Sequence, residues 1–259
     1  MNILFMGDVA GETGLRGLEK VLPELRRTYA ADLTLVNGEN AAGVGMTPAQ
    51  ADRIFYAGAD VITLGNHAFD RREILDRIDR DDRILRPANL PRLPGRGSGI
   101  FEARHREVGV LVLSGRFGMD YNPDNPFLAV EKELCELKKS CSTVLVDFHA
   151  ESTSEKIAMR YALEGKVSLL VGTHTHVQTA DEQIRSGTGY ITDLGMCGPE
   201  NSVIGVDPAW ALEQFRNGKA FSGKTWPEGD AVIAGVFCEI GDNDGKCVRI
   251  ERILKNVKL

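Results

Sequence analysis

The chain has no paired-cysteine motif, no basic run and no apolar stretch of membrane-spanning length, and each absence removes a class of function. Its five cysteines (Cys135, Cys141, Cys197, Cys238, Cys247) are odd in number and form no CxxC pair. A thiolate metal site and a disulfide framework are therefore both disfavoured, and reduced, packed thiols are expected. Lys and Arg total 31 against 37 Asp and Glu, a formal net charge of −6, and the cations are scattered. A general nucleic-acid binder would show a basic stripe instead. The opening stretch MNILFMGDVAG carries no basic leader and no cleavable apolar segment, so a cytoplasmic protein without a membrane span is expected. Histidine is scarce too: there are five, and their placement carries information.

What is present is an alternation of short apolar runs with helical patterns. NILFM (2–6), LTLVN (33–37), VITLG (61–65), VGVLVL (108–113), TVLVDFH (143–149), VSLLVG (167–172) and YITDLG (190–195) have strand character, several apolar on both faces. Helices are expected over about 14–29, from Thr47 and Pro48, near 71–79, 124–139 and 153–164, and from Asp207–Pro208 to Gly218. The cap-then-proline starts and the glycine stop are local helix punctuation. Strands apolar on both faces, alternating with helices, imply an α/β protein whose sheets are covered by helices. AVIAGVFCEI and KCVRIERILKNV around GDNDG predict a C-terminal hairpin. NLPRLPGRGSG (89–99) is a loop, and a single domain over 1–259 is expected.

The chemistry gathers where these strands end. Asp8 follows ILFMG, Glu39 and Asn40 follow LTLVNG, Asn66 and His67 follow VITLG, His149 closes VLVDFH, and His174 and His176 follow LLVGT. Open α/β sheets bind ligands beyond the carboxyl ends of their strands. Singly, Asp8 could cap a helix, Glu39 and Asn40 could form a turn, and His149 could be a packed core residue. Together they form a constellation that takes four of the five histidines and leaves out His105.

Carboxylate, amide and imidazole donors suit borderline divalent ions. About seven donors exceed what one ion takes from protein with positions left open. Two ions about 3.5–4 Å apart, sharing a bridging carboxylate, fit that number and suit phosphate esters. Glu39 is the natural bridge. If the strand before His174 continues, its repeat aims both imidazoles of HTH the same way, and an extended Asn66–His67 segment points those two side chains apart.

The ordered set Asp8, Glu39, GNH at 65–67, His149 and GTHTH at 172–176 resembles the calcineurin-like metallophosphoesterases. Two departures, Ala10 where D-x-H carries histidine and Glu39 where an aspartate is usual, are similar to the YmdB-like bacterial phosphodiesterase branch. The resemblance implies a four-layer α-β-β-α sandwich of two mixed sheets flanked by helices. It implies one metal on Asp8, Glu39, Asn40 and His176, and another on Glu39, Asn66, His149 and His174, with Fe or Mn favoured over Zn or Mg. It implies His67 as the proton donor, a bridging hydroxide as nucleophile, a small phosphodiester substrate such as a 2′,3′- or 3′,5′-cyclic nucleotide, and a homo-oligomer.

Two other readings share these residues: a phosphomonoesterase or nucleotidase, and a metal-binding regulatory scaffold for RNA or protein, the RNA version unsupported by charge. Cys197 in GMCGP is expected to be a packed thiol near the site edge. RFGMDYNPDNPF (116–127) could face substrate or solvent, and Arg71 and Arg72 could meet an anion or water.

Overall fold

The computed structural model describes residues 1–91, 93–218 and 225–259. The apolar runs build two mixed sheets. In the first, β1 (Asn2–Met6), β3 (Leu33–Asn37), β4 (Val61–Thr63) and β5 (Ile84–Leu85) lie parallel in that order. Antiparallel to β1 runs β13 (Ala231–Ile240), which also pairs with β12 (Met196–Pro199) and with β14 (Cys247–Val257). The two-residue β2 (Asp8–Val9) pairs with β12 at the edge. In the second sheet, β7 (Arg106–Ser114), β8 (Thr143–His149), β9 (Leu169–Thr173) and β11 (Thr188–Ile191) are parallel neighbours. Antiparallel β6 (Ser98–Ala103) and β10 (Gln183–Arg185) form its edges.

Alternation along β1 explains the layering. Ile3 and Phe5 face the second sheet, meeting Val108, Val110, Leu145 and Leu169. Leu4 and Met6 face the opposite way into a core with Leu15, Leu18, Leu22 and Ile54 from α1 (Gly11–Thr28) and α2 (Pro48–Ala57). Ile78 of α3 (Leu75–Arg80) joins that core. On the far side, α4 (Pro126–Leu137) and α5 (Thr153–Leu163) bury Leu134 and Met159 against Leu111 and Val146. The result is the expected four-layer α-β-β-α sandwich. Each fully buried Leu, Ile or Phe contributes about 1.5–3 kcal/mol, and both sheets are covered on both faces.

Several expectations shift in detail. α1 begins at Gly11 rather than 14: its cap residue Ala10 makes no side-chain cap bond, and the Gly11 N–H donates to the Asn40 carbonyl (2.9 Å). A cap borrowed from a distant loop leaves no local signal. The helix expected over 71–79 is a 3₁₀ turn, Arg72–Ile74, followed by α3. The expected loop at 89–99 gives way to β6 at Ser98, a strand whose alternating exposure suits an edge. By contrast α2 and α6 (Pro208–Asn217) begin where the Thr47 and Asp207 caps and their prolines placed them, and α6 stops at a left-handed Gly218. No described helix is long and apolar enough to cross a membrane.

Candidate metal centre

The carboxyl ends of both sheets meet at one cavity of about 470 Å³, whose lining includes Glu39, Asn40, His67, His174 and His176. The first sheet delivers Asp8, Glu39, Asn40 and Asn66; the second delivers His149, His174 and His176. His149 Nε2 lies 2.9 Å from Glu39 Oε1, 2.8 Å from Asn66 Oδ1 and 3.0 Å from His174 Nδ1. A second cluster forms around His176 Nε2, 3.3 Å from Asp8 Oδ2 and 3.2 Å from Asn40 Nδ2. Asn40 Nδ2 also donates to Glu39 Oε1 (3.2 Å), so Glu39 stands between the clusters. All seven predicted donors are therefore brought together, and His105 lies 98% exposed elsewhere.

Two local expectations are corrected. β9 ends at Thr173, and His174 and His176 take positive φ of 101° and 65°. The imidazoles are thus aimed by a loop, not by a strand repeat, and they diverge: His174 toward His149, His176 toward Asp8. Such backbone costs of order 1–3 kcal/mol per residue and persists where the surroundings over-determine it. Here the His174 N–H donates to Asp8 Oδ2 (3.1 Å), while the Thr175 N–H and hydroxyl donate to Asp193 Oδ2 (3.2 and 2.7 Å). Asp193 is itself paired with buried Lys156 at 2.6 Å. Asn66 and His67 likewise sit in a turn, not an extended segment.

Gly65 makes the approach of these groups possible, because a Cβ there would run into the His149 ring and Glu39 Oε2. Beneath the site, the fully buried Asp147 accepts from the Thr63 hydroxyl (2.6 Å) and the Thr173 hydroxyl (2.7 Å). Asn37 Nδ2 donates to the same carboxylate at 3.3 Å. Thr173 Oγ1 is also 2.8 Å from His149 Nδ1. If that nitrogen carries its proton, Nε2 is left as a lone-pair donor.

Charge is crowded here. Burial alone would raise the Glu39 carboxyl, but the positive His149 beside it holds it down to about 2. Burial alone would lower His149, but Glu39, Asp8 and Asp147 push it up to about 9. Burial and the neighbouring His149 press His174 down to about 3. Burial keeps Asp8 above the usual carboxylate range in spite of His176, whereas Asp8 raises His176 against its own burial. Asp147 is lifted by burial to about 6.

The fit to cations rests on Asp8: its Oδ1 is buried and has no hydrogen-bond partner. A buried carboxylate oxygen left unpaired is costly unless a cation meets it. Glu39, His149 and His174 also present ligand atoms within 4.8 Å of one another. Donor set and spacing fit divalent metal.

His67 borders the cavity, its Nδ1 2.7 Å from Asp70 Oδ2. Residues 116–127 line none of the cavity, and neither does GMCGP. Cys197 is buried, and burial pushes its thiol up to about 12, as expected for a packed thiol. Arg71 is spent on the Val44 and Ala42 carbonyls. Sequence reasoning passed over Asp147, Asp193 and Thr173. A charge inside the apolar run VLVDFH was the available signal for the first.

The chain is similar to known proteins along nearly its whole length. The family model described as YmdB-like protein matches residues 4–253. The 2′,3′-cyclic-nucleotide 2′-phosphodiesterase of Bacillus subtilis is 42% identical over 99% of this chain and 97% of its own. The crystal structure of a novel phosphatase from Mycoplasma pneumoniae superposes with a TM-score of 0.93 at 34% identity, covering 100% of this chain and 94% of that one. An NAD nucleotidase of Haemophilus influenzae, 13% identical with a TM-score of 0.64 over 100% of this chain and 56% of its own, shares the fold alone.

Proposed function

Because the chain belongs to the YmdB-like family, we propose that it is a metal-dependent phosphodiesterase acting on cyclic nucleotides, 2′,3′- or 3′,5′-cyclic monophosphates or both. The observation that carries this reading is the convergence of Glu39, Asn66 and His174 on His149 Nε2, within 3.0 Å. One divalent ion would be held by Glu39, Asn66, His149 and His174, and a second by Asp8, Glu39, Asn40 and His176, with Fe or Mn the preferred pair. Bound there, the ions would supply a hydroxide nucleophile at neutral pH and offset charge on the phosphate oxygens.

The chain's own residues do the rest. Asp70 orients the His67 ring through Nδ1 (2.7 Å), leaving Nε2 free to hand a proton to the departing alkoxide. Thr173 and Asp147 hold His149 in one orientation. The Asp193–Lys156 pair holds the loop that aims His174 and His176.

A panel of cyclic diesters, linear diesters and monoesters, run with Mn²⁺, Fe²⁺, Mg²⁺ and Zn²⁺ in turn, tests the reading. Turnover of cyclic diesters is expected, with His67→Ala keeping its metal and losing most of the rate. Hydrolysis of monoesters alone would favour a phosphatase, the activity named for the Mycoplasma relative. Metal content below one ion per chain with no turnover would favour the scaffold. The reading extends to a self-associating, single-domain cytoplasmic enzyme, and light scattering after size exclusion tests the self-association.

A further inference from the structure

The cavity has a second wall that phosphate chemistry does not call for. Facing the metal-type donors are Val203, Ile204, Val206, Trp210, Phe215 and Trp226. No Lys or Arg is among the described residues that line the cavity. Among the described residues a second phosphate or a carboxylate would find no cation there, whereas a flat, neutral group would find apolar surface. The cavity's 470 Å³ falls within the range of small-molecule sites.

Two polar atoms on that wall lack partners. Trp210 Nε1 and Gln214 Nε2 are both buried and make no hydrogen bond among the described residues. They are four residues apart on α6, so they sit one above the other on one helix face. An indole N–H only donates, and an amide nitrogen only donates. Leaving two such donors buried and unpaired is unfavourable, and a ligand bearing acceptors relieves it. The wall is also tied to the reacting end of the cavity: the Ile204 carbonyl lies 2.8 Å from His176 Nδ1.

We propose that this wall is the nucleobase subsite. The base lies against the Trp210 and Phe215 rings, and its carbonyl oxygen or ring nitrogen accepts from Trp210 Nε1 and Gln214 Nε2. The proposal rests on the phosphodiesterase reading for the position of the phosphate. It assigns α6 to substrate choice and makes nucleoside cyclic phosphates better substrates than diesters without a base.

The test compares Trp210→Phe, which keeps a ring and removes the N–H, with Gln214→Leu, which keeps bulk and removes the amide. With Mn²⁺-loaded protein, kcat/KM is measured on the four nucleoside 2′,3′-cyclic phosphates and on 1-O-methylribose 2′,3′-cyclic phosphate, which has no base. Each variant is expected to lower the ratio of nucleotide to base-free turnover about tenfold for at least one base, in KM rather than kcat. An unchanged ratio for all four bases in both variants overturns the subsite. If wild-type protein hydrolyses no diester, the phosphodiesterase reading fails, and calorimetric titration with guanosine and uridine 3′-monophosphates decides the subsite separately. Binding weakened about tenfold by either substitution supports it, and wild-type protein that binds neither nucleotide, or variants that bind as wild type does, overturns it.

Discussion

Replacing Thr173 by valine separates hydrogen bonding from shape at the floor of the site. The substitution keeps the branched side chain and removes a hydroxyl that donates to Asp147 Oδ1 (2.7 Å) and faces His149 Nδ1 (2.8 Å). All three side chains are fully buried, so water cannot replace what is lost. Asp147 keeps Thr63 and Asn37 as donors, while the His149 Nδ1–H is left with no acceptor. A buried group without its partner costs about 1–3 kcal/mol, more if charged, so the two losses together come to about 2–6 kcal/mol. For a chain of this size each kcal/mol moves the midpoint by about 2–4 °C. Scanning calorimetry of metal-free protein is therefore expected to show a fall of about 4–24 °C. Titration with Mn²⁺ is expected to show affinity reduced about 10–100-fold, the usual cost of removing a group that orients a metal-binding histidine. Thr173→Ser, which keeps the hydroxyl, should recover most of both. A valine variant within 2 °C of wild type with unchanged Mn²⁺ affinity would refute the relay, as would a serine variant as damaged as the valine.

Other expectations follow from the same geometry. Gly65→Ala places a methyl against His149 and Glu39, and overpacking of about 1–3 kcal/mol with loss of metal uptake is expected by calorimetry and elemental analysis. Lys156→Met strands Asp193 in the interior and should cost about 3–5 kcal/mol, read by urea denaturation. In metal-free protein the Glu39–His149 pair contributes fully between about pH 4.5 and 6.5. That contribution is lost as pH rises from 6.5 through 9, where His149 gives up its proton, and as pH falls from 4.5 toward 2, where Glu39 gains one. Asp147 acts the other way, its ionisation costing stability as pH rises from 3.8 to about 6. Melting curves at pH 5.5, 7.5 and 9 should fall at the alkaline end, and Glu39→Gln should flatten that fall. Metal uptake at pH 7 should release a proton from His149, seen as a buffer-dependent binding enthalpy.

Much of the fold was legible locally. β1, β3 and β8 begin and end where their apolar runs do, because turn-forming residues bound them. The start of α1 was not, since its first N–H is satisfied by Asn40, some 29 residues on. The short strands β5, β10 and β12 are two to four residues long, too brief for periodicity to register. The metal-type donors could be picked out because strand ends are where such sheets bind ligands. Their aim could not: the left-handed turns at His174 and His176 depend on Asp8 and Asp193, which only tertiary packing brings near. Trp210 and Gln214 belong to a helix whose start was evident, but which of its faces meets the cavity is a property of the assembled molecule.

Four of the seven donors come from one sheet and three from the other, and Asp147 joins the two sheets at the same end through Thr63 and Asn37. On the proposed two-ion reading, neither sheet by itself would supply the full ligand set of either ion. On that reading the centre would act as a proofreader of assembly: a chain whose sheets have docked out of register would present two partial sets of ligands and remain empty. Metal uptake during refolding would in that sense be a clock for the docking step, and an ion, once seated, would work as a rivet that resists the sliding of one sheet over the other.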